Sequence, residues 1–178
     1  RQRARFPCRF ILVASMNPCP CGYVGSETRC TCTEHQIQKY RHRLSGPLLD
    51  RIDIQAEVPR RKYVVTSSEQ NHGICLSTAL LKEKVIRARE WQSNRYKACR
   101  IKLNADVSVR VLKRAVAMTT AARTLLVESV DVLGLSARAA DKVQRIARTA
   151  ADLAERERVE DQDIAEAVSY RILDRRID

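Results

Sequence analysis

Two hydrophobic periods divide the chain. Residues 10–15 (FILVAS) form an unbroken apolar run, the pattern of a strand buried on both faces of a parallel sheet. Asn17-Pro18 ends that run, because proline has no N–H to give a ladder. Residues 52–58 (IDIQAEV) alternate apolar and polar, which predicts a strand nearer a sheet edge, terminated by Pro59. Between them, residues 34–43 (EHQIQKYRHR) predict a short helix opening at Thr33, a good N-cap. Beyond residue 75 the period becomes helical.

That second half predicts a small helical bundle. Residues 76–96 carry Leu80, Leu81, Val85, Ala88 and Trp91 near one face. Residues 107–117 predict a shorter helix capped by Asp106 or Ser108, and residues 120–133 another that ends on Gly134. Ser136 then caps a long helix to residue 154, with Ala139, Val143, Ile146, Ala150 and Leu153 on one stripe. Residues 160–173 close the bundle through Ile164, Ala167, Val168 and Ile172. The polar, turn-forming stretch at 61–75 reads as a linker between an α/β part (1–60) and the helical part (76–178).

Composition narrows the classes of function. The 178 residues are 44% hydrophobic, enough for a packed core, and 30% charged, which suits solvated helices. Aromatics at 4% leave few stacking platforms for single-stranded nucleic acid. The net charge of +12 favours a polyanionic partner such as DNA, RNA or nucleotide phosphates. A basic surface balanced by acidic residues elsewhere is the other reading. With no secretory signal and no apolar run approaching a membrane span, the expectation is a soluble, cytoplasmic chain with no membrane partner. It opens on Arg1 rather than Met and reads as a fragment.

The densest chemistry is in the first half. Cys19, Cys21, Cys30 and Cys32 form C-x-C, a loop of eight, then C-x-C, a set that suits a closed tetrahedral zinc site. Two disulfides, or four free thiols, are the alternatives. With four protein ligands no position is left for water, so such a zinc is structural rather than catalytic. His35 and His42 are substitute ligands or simply helix-surface residues. Cys8, Cys75 and Cys99 follow no pattern.

Three polar residues invite a phosphate reading. Asn17, just past an apolar run, either satisfies a turn or orients a water. Arg51, between Asp50 and Asp53, is either a local ion pair or a guanidinium offered to a phosphate. Arg138 sits in the first turn of the long helix, where the helix end is already electropositive, a conflict that a nearby anion resolves. Lys39, Arg41 and Arg43 with Tyr40 form a basic run that serves as a DNA contact or a solvated helix face. Arg87, Arg89, Arg95, Lys97 and Arg100 read as a solvated face.

The segments ASMNPCPCG, RLSGPLLDRID and LSARAADKVQRIARTAADL, with EAVSYR near the C-terminus, resemble the C-terminal half of the ComM/YifB family of magnesium chelatase-like AAA+ proteins. The resemblance implies a partial AAA+ P-loop NTPase core, α/β in class, followed by an all-α lid. It implies a ring-forming, typically hexameric ATPase that uses ATP and Mg2+ and acts on branched DNA during recombination in natural transformation. Asn17 then matches sensor 1, Arg51 an arginine finger reaching the next subunit's nucleotide, and Arg138 sensor 2 in its own subunit. The cysteine loop matches a family insertion. No G-x-x-x-x-G-K-[ST] loop and no apolar strand ending in Asp-Glu occurs in the chain, so on its own it is expected to be inactive, with the Mg2+ ligands elsewhere. The alternative is a non-catalytic, zinc-containing DNA-binding module.

Overall fold

A computed structural model of the chain describes residue 4 and residues 10–58, 77–99 and 101–171. The expected linker at 61–75, the strand terminator Pro59, and Cys8, Cys75, Arg100 and Ile172 lie outside the described residues. The chain falls into two compact units, Arg1–Arg43 and Leu44–Asp178.

Among the described residues of the first unit the one helix is α1 (Glu34–Arg41). Thr33 caps it as expected, and a full capping box forms: Thr33 Oγ1 accepts from the Gln36 N–H, and Gln36 Oε1 accepts from the Thr33 N–H. Ile37 is its buried residue, and Lys39 and Arg41 lie in its last turn, where cations suit the helix dipole.

The second unit contains α2 (Gly46–Leu49), α3 (Thr78–Arg95), α4 (Val109–Ala115), α5 (Thr120–Leu133), α6 (Ala137–Leu153) and α7 (Asp161–Ser169). Its core gathers Tyr96, Val107, Leu112, Val116 and Ala122 with Ala139, Val143, Ala147 and Ala151 of α6 and Ile164, Ala167 and Val168 of α7. Small residues at every fourth position of α6 let its neighbours approach closely. Gly134 ends α5 at φ +59°, and the Leu135 N–H closes back on the Val130 carbonyl at 3.0 Å. Ser136 then caps α6 by accepting from the Ala139 N–H at 3.1 Å.

The α/β expectation does not hold. Among the described residues there is no sheet, and the β pairing is a single parallel bridge between Met118 and Val159. Residues 10–15 form no strand, and Phe10, Ile11, Leu12 and Val13 are 62–90% exposed. Residues 52–58 form no strand either. An apolar run becomes a strand only when a neighbour takes up its N–H and C=O groups. The described residues supply none, so the pattern is present without the structure. The all-α expectation for the second half fits the bundle.

Within that bundle two faces differ from expectation. On α3 only Ala88 and Gln92 are buried, whereas Leu80, Leu81, Val85 and Trp91 are exposed. On α6 the buried row runs 139, 143, 147, 151, with Arg148 and Asp152 beside it, and Leu153 faces outward. A polar pair buried on the helix turns its contact face by part of a turn.

Candidate functional site

The cysteine loop of the first unit is built from tight turns. The Gly22 N–H bonds the Cys19 carbonyl at 3.1 Å, and Gly22 and Gly25 hold φ of +81° and +77°, a region that glycine enters without steric cost. These turns fold Cys19, Cys21, Cys30 and Cys32 together, with all four sulfurs within 4.8 Å of one another. The Sγ···Sγ separations of 3.4 Å (19–21), 3.5 Å (21–30) and 3.8 Å (19–30) are too long for disulfides, and the thiols are free. Four sulfurs at about 2.3 Å from a tetrahedral zinc stand about 3.8 Å apart, so the donor set and its spacing fit zinc. Neither His35 nor His42 belongs to the cluster.

Local N–H groups favour thiolate at two positions, prevailing over desolvation at Cys19 and acting most strongly at Cys21. The backbone N–H groups of Tyr23 and Thr31 bring Cys21 down to about 5. At Cys30 the Cys32 N–H acts in the same sense, but desolvation and the neighbouring Cys21 and Cys19 sulfurs outweigh it and push the thiol up to about 12. Crowded thiols cannot all ionise without a cation among them, and a divalent metal supplies one. Asn17, in the same unit, is exposed, and a β-carbon placed on Gly22 would stand 3.8 Å from its Cγ and Nδ2.

The second unit carries an open depression of about 340 Å³ lined by Asp50, Arg51, Arg138, Asp141, Lys142 and Arg145. Arg51 and Arg138 therefore share one site. Arg51 is exposed just beyond α2, its Nη1 donating to the Pro47 carbonyl at 2.5 Å. Arg138 is exposed in the first turn of α6. Lys142 pairs with Asp53 at 3.0 Å, and Arg145 Nη1 donates to the carbonyls of Asn104 and Ala105 at 3.0 and 3.2 Å. Four cations against two lining carboxylates leave the depression net positive, with a helix N-terminus at one edge. The charge and shape of such an arrangement suit an anion of several oxygens. Sequence reading missed Lys142 and Arg145, although with Arg138 they stand at i, i+4 and i+7 on one face of one helix.

A buried polar network joins this depression through the Arg145 bond to the Asn104 carbonyl. Asp152 accepts from Arg95 Nη1 at 3.0 Å, Arg148 Nε at 3.1 Å and Asn104 Nδ2 at 2.9 Å. Arg148 also donates to the Glu157 and Arg156 carbonyls at 2.7 and 2.5 Å. Burial lowers the Arg148 guanidinium, and burial raises the Tyr96 phenol, which donates to Asn104 Oδ1 at 2.9 Å. Arg95, expected on a solvated face, thus works as a structural pin. The segment 50–55 docks separately: the Gln55 N–H bonds the Tyr170 carbonyl at 2.9 Å, and buried Arg171 donates to the Ile52 carbonyl at 2.7 Å.

With this geometry in hand, comparison with known proteins assigns the class. Residues 76–171 match the family magnesium chelatase, subunit ChlI C-terminal, and residues 1–66 match magnesium chelatase, subunit ChlI. The chain belongs to this magnesium chelatase-like family. It is 38% identical over 176 residues to the uncharacterized protein YifB of Salmonella typhimurium and of Escherichia coli, covering 98% of this chain and 33% of each relative. It is 37% identical over 173 residues to the competence protein ComM of Haemophilus influenzae, covering 96% of this chain and 32% of that protein. The chain spans about a third of the length of the curated relatives it matches. No helix among the described residues is long and apolar enough to cross a membrane.

Proposed function

We propose that this chain supplies the phosphate-contacting arginines and the helical domain of a ring-forming AAA+-type ATPase that uses ATP and Mg2+ and acts on branched DNA in recombination during natural transformation. The observation that carries the reading is the depression where Arg51 and Arg138 meet beside Lys142 and Arg145. A guanidinium pair stabilises the charge that develops on a transferred phosphoryl group, and one such arginine is worth about 10³–10⁵ in rate. Sequence reasoning assigns Arg51 to a neighbouring subunit's nucleotide and Arg138 to its own. Their shared depression favours one phosphate for both. Asn17, in the other compact unit, is the residue that the family resemblance offers for orienting a water. Phosphate cradle, its lysine and the Mg2+ carboxylates are supplied by residues other than those identified here.

The test is ATP hydrolysis by the complete protein. Arg51→Ala is expected to lower kcat by about 10³ while ATP binding stays within a few-fold, the signature of a contact made in the transition state. Hydrolysis at the wild-type rate removes Arg51 from the reaction.

The four-cysteine cluster supports a second role within the same protein. A structural Zn2+ on Cys19, Cys21, Cys30 and Cys32 holds the turns of the loop, and the basic run of α1 follows it in sequence. If the chain is instead a nucleotide-independent DNA-binding module, DNA affinity is unchanged by ATP, and Arg51→Ala weakens binding only as much as any single phosphate contact.

A further inference from the structure

Arg51 lies just outside the regular elements, with its own bonds running back to α2: its N–H to the Leu48 carbonyl at 2.9 Å and Nη1 to the Pro47 carbonyl at 2.5 Å. Residues 50–58 have neither helix nor strand, yet the neighbours of Arg51 are tied down on both sides. Arg171, with no solvent exposure, donates from Nη1 to the Ile52 carbonyl at 2.7 Å and holds Nη2 at 3.9 Å from Asp50 Oδ1. One residue earlier, the Tyr170 carbonyl accepts the N–H of buried Gln55 at 2.9 Å. From the other side, Lys142 of α6 grips Asp53 at 3.0 Å. The segment that presents Arg51 is therefore pinned to the end of α7 and to the helix that presents Arg138.

A buried guanidinium needs partners to offset its desolvation, and the residues flanking Arg51 are among those of Arg171. Arginine rather than lysine suits the task, because its planar fork bonds a carbonyl through Nη1 while Nη2 stays within ion-pair range of a carboxylate. Resting on the phosphate-site reading, we propose that Arg171 is a positioning residue. Together with the Asp53–Lys142 pair it sets the place of Arg51 against Arg138 across the depression, and it couples the end of α7 to the phosphate contact. This gives the Arg that closes EAVSYR a role in the site rather than in the core.

The experiment uses the complete protein with Arg171→Lys, Asp53→Asn and Arg51→Ala. Hydrogen exchange of residues 44–58 is read beside kcat and KM for ATP. Arg171→Lys is expected to raise exchange across 44–58 by about tenfold, with α5 and α6 still protected. It is expected to lower kcat by about tenfold with KM within about twofold, because a displaced Arg51 is missed in the transition state. Asp53→Asn, on an exposed side chain, moves both readouts the same way by a smaller factor, and it decides the matter if Arg171→Lys does not fold. Unchanged exchange at 44–58, or raised exchange with unchanged kcat, overturns the proposal while leaving the phosphate site standing. Arg51→Ala at the wild-type rate overturns the phosphate site itself, and the positioning role with it.

Discussion

Asp152 shows what one residue does in this bundle. It has no solvent exposure and accepts from two guanidiniums and an amide, so its charge is matched on every side. Removing it leaves Arg148, which is equally buried, with its two carbonyl partners but no carboxylate to match its charge. Asp152→Ala is expected to cost about 3–5 kcal/mol, the range for breaking a buried pair from one side, read as a fall in the urea midpoint with an unchanged slope. Arg148 and Asp152 stand at i, i+4, which sequence shows, but the same spacing marks any exposed helix pair. That Arg95 and Asn104 arrive from other elements is tertiary information, so the network was illegible. The Cys cluster was legible because its four thiols lie within fourteen residues, where short turns suffice to bring them together. Arg51 and Arg138 were each visible for a local reason, but their meeting in one depression is a product of docking.

Among the elements, local signals were read well and faces poorly. Thr33, Ser136 and Gly134 act as the caps and stop their residue types imply, since a cap is a contact within four residues. The end of α6 carried no such signal. There Glu155 takes φ +56°, its N–H bonds the Asp152 carbonyl at 3.1 Å, and the Arg156 N–H bonds the Ala151 carbonyl at 2.8 Å. This is the glycine-type helix stop made by a glutamate, at a cost of about 1 kcal/mol. The Glu155 pair with Arg87, at 3.2 Å and about half exposed, offsets little of it. Glu155→Gly is therefore expected to stabilise the bundle by about 0.5–1 kcal/mol, a rise of a few degrees in Tm. A lower Tm would give the Arg87 pair more weight than its exposure allows. The outward turn of Leu80, Leu81 and Val85 on α3 follows from burial of Ala88 and Gln92, a face set by which helix packs there and not by composition.

At the scale of the whole molecule, two chemistries stand in two units. The first unit carries the cysteine cluster, and the second carries the depression lined by Arg51, Arg138, Lys142 and Arg145. The purified chain is expected to hold one Zn2+ by elemental analysis, and Cys19→Ser or Cys32→Ser to lose it, with residues 17–32 then exchanging faster. Retention of zinc by both variants would move the metal elsewhere. The apolar run at 10–15 marks the limit of reading from pattern: hydrophobicity reports what a segment has to bury, but its neighbours decide whether it becomes a strand. The same holds for function, since net charge favours a polyanion without telling a nucleotide from DNA.

A double-mutant cycle on ATP hydrolysis tests the shared phosphate site most directly. In the complete protein, Arg51→Ala, Arg138→Ala and the double variant are compared by kcat at saturating ATP. If both guanidiniums act on one phosphate, each single loss removes most of the effect, and the double variant falls little further than the worse single. Losses that multiply, as for independent sites, would contradict a common phosphate for Arg51 and Arg138.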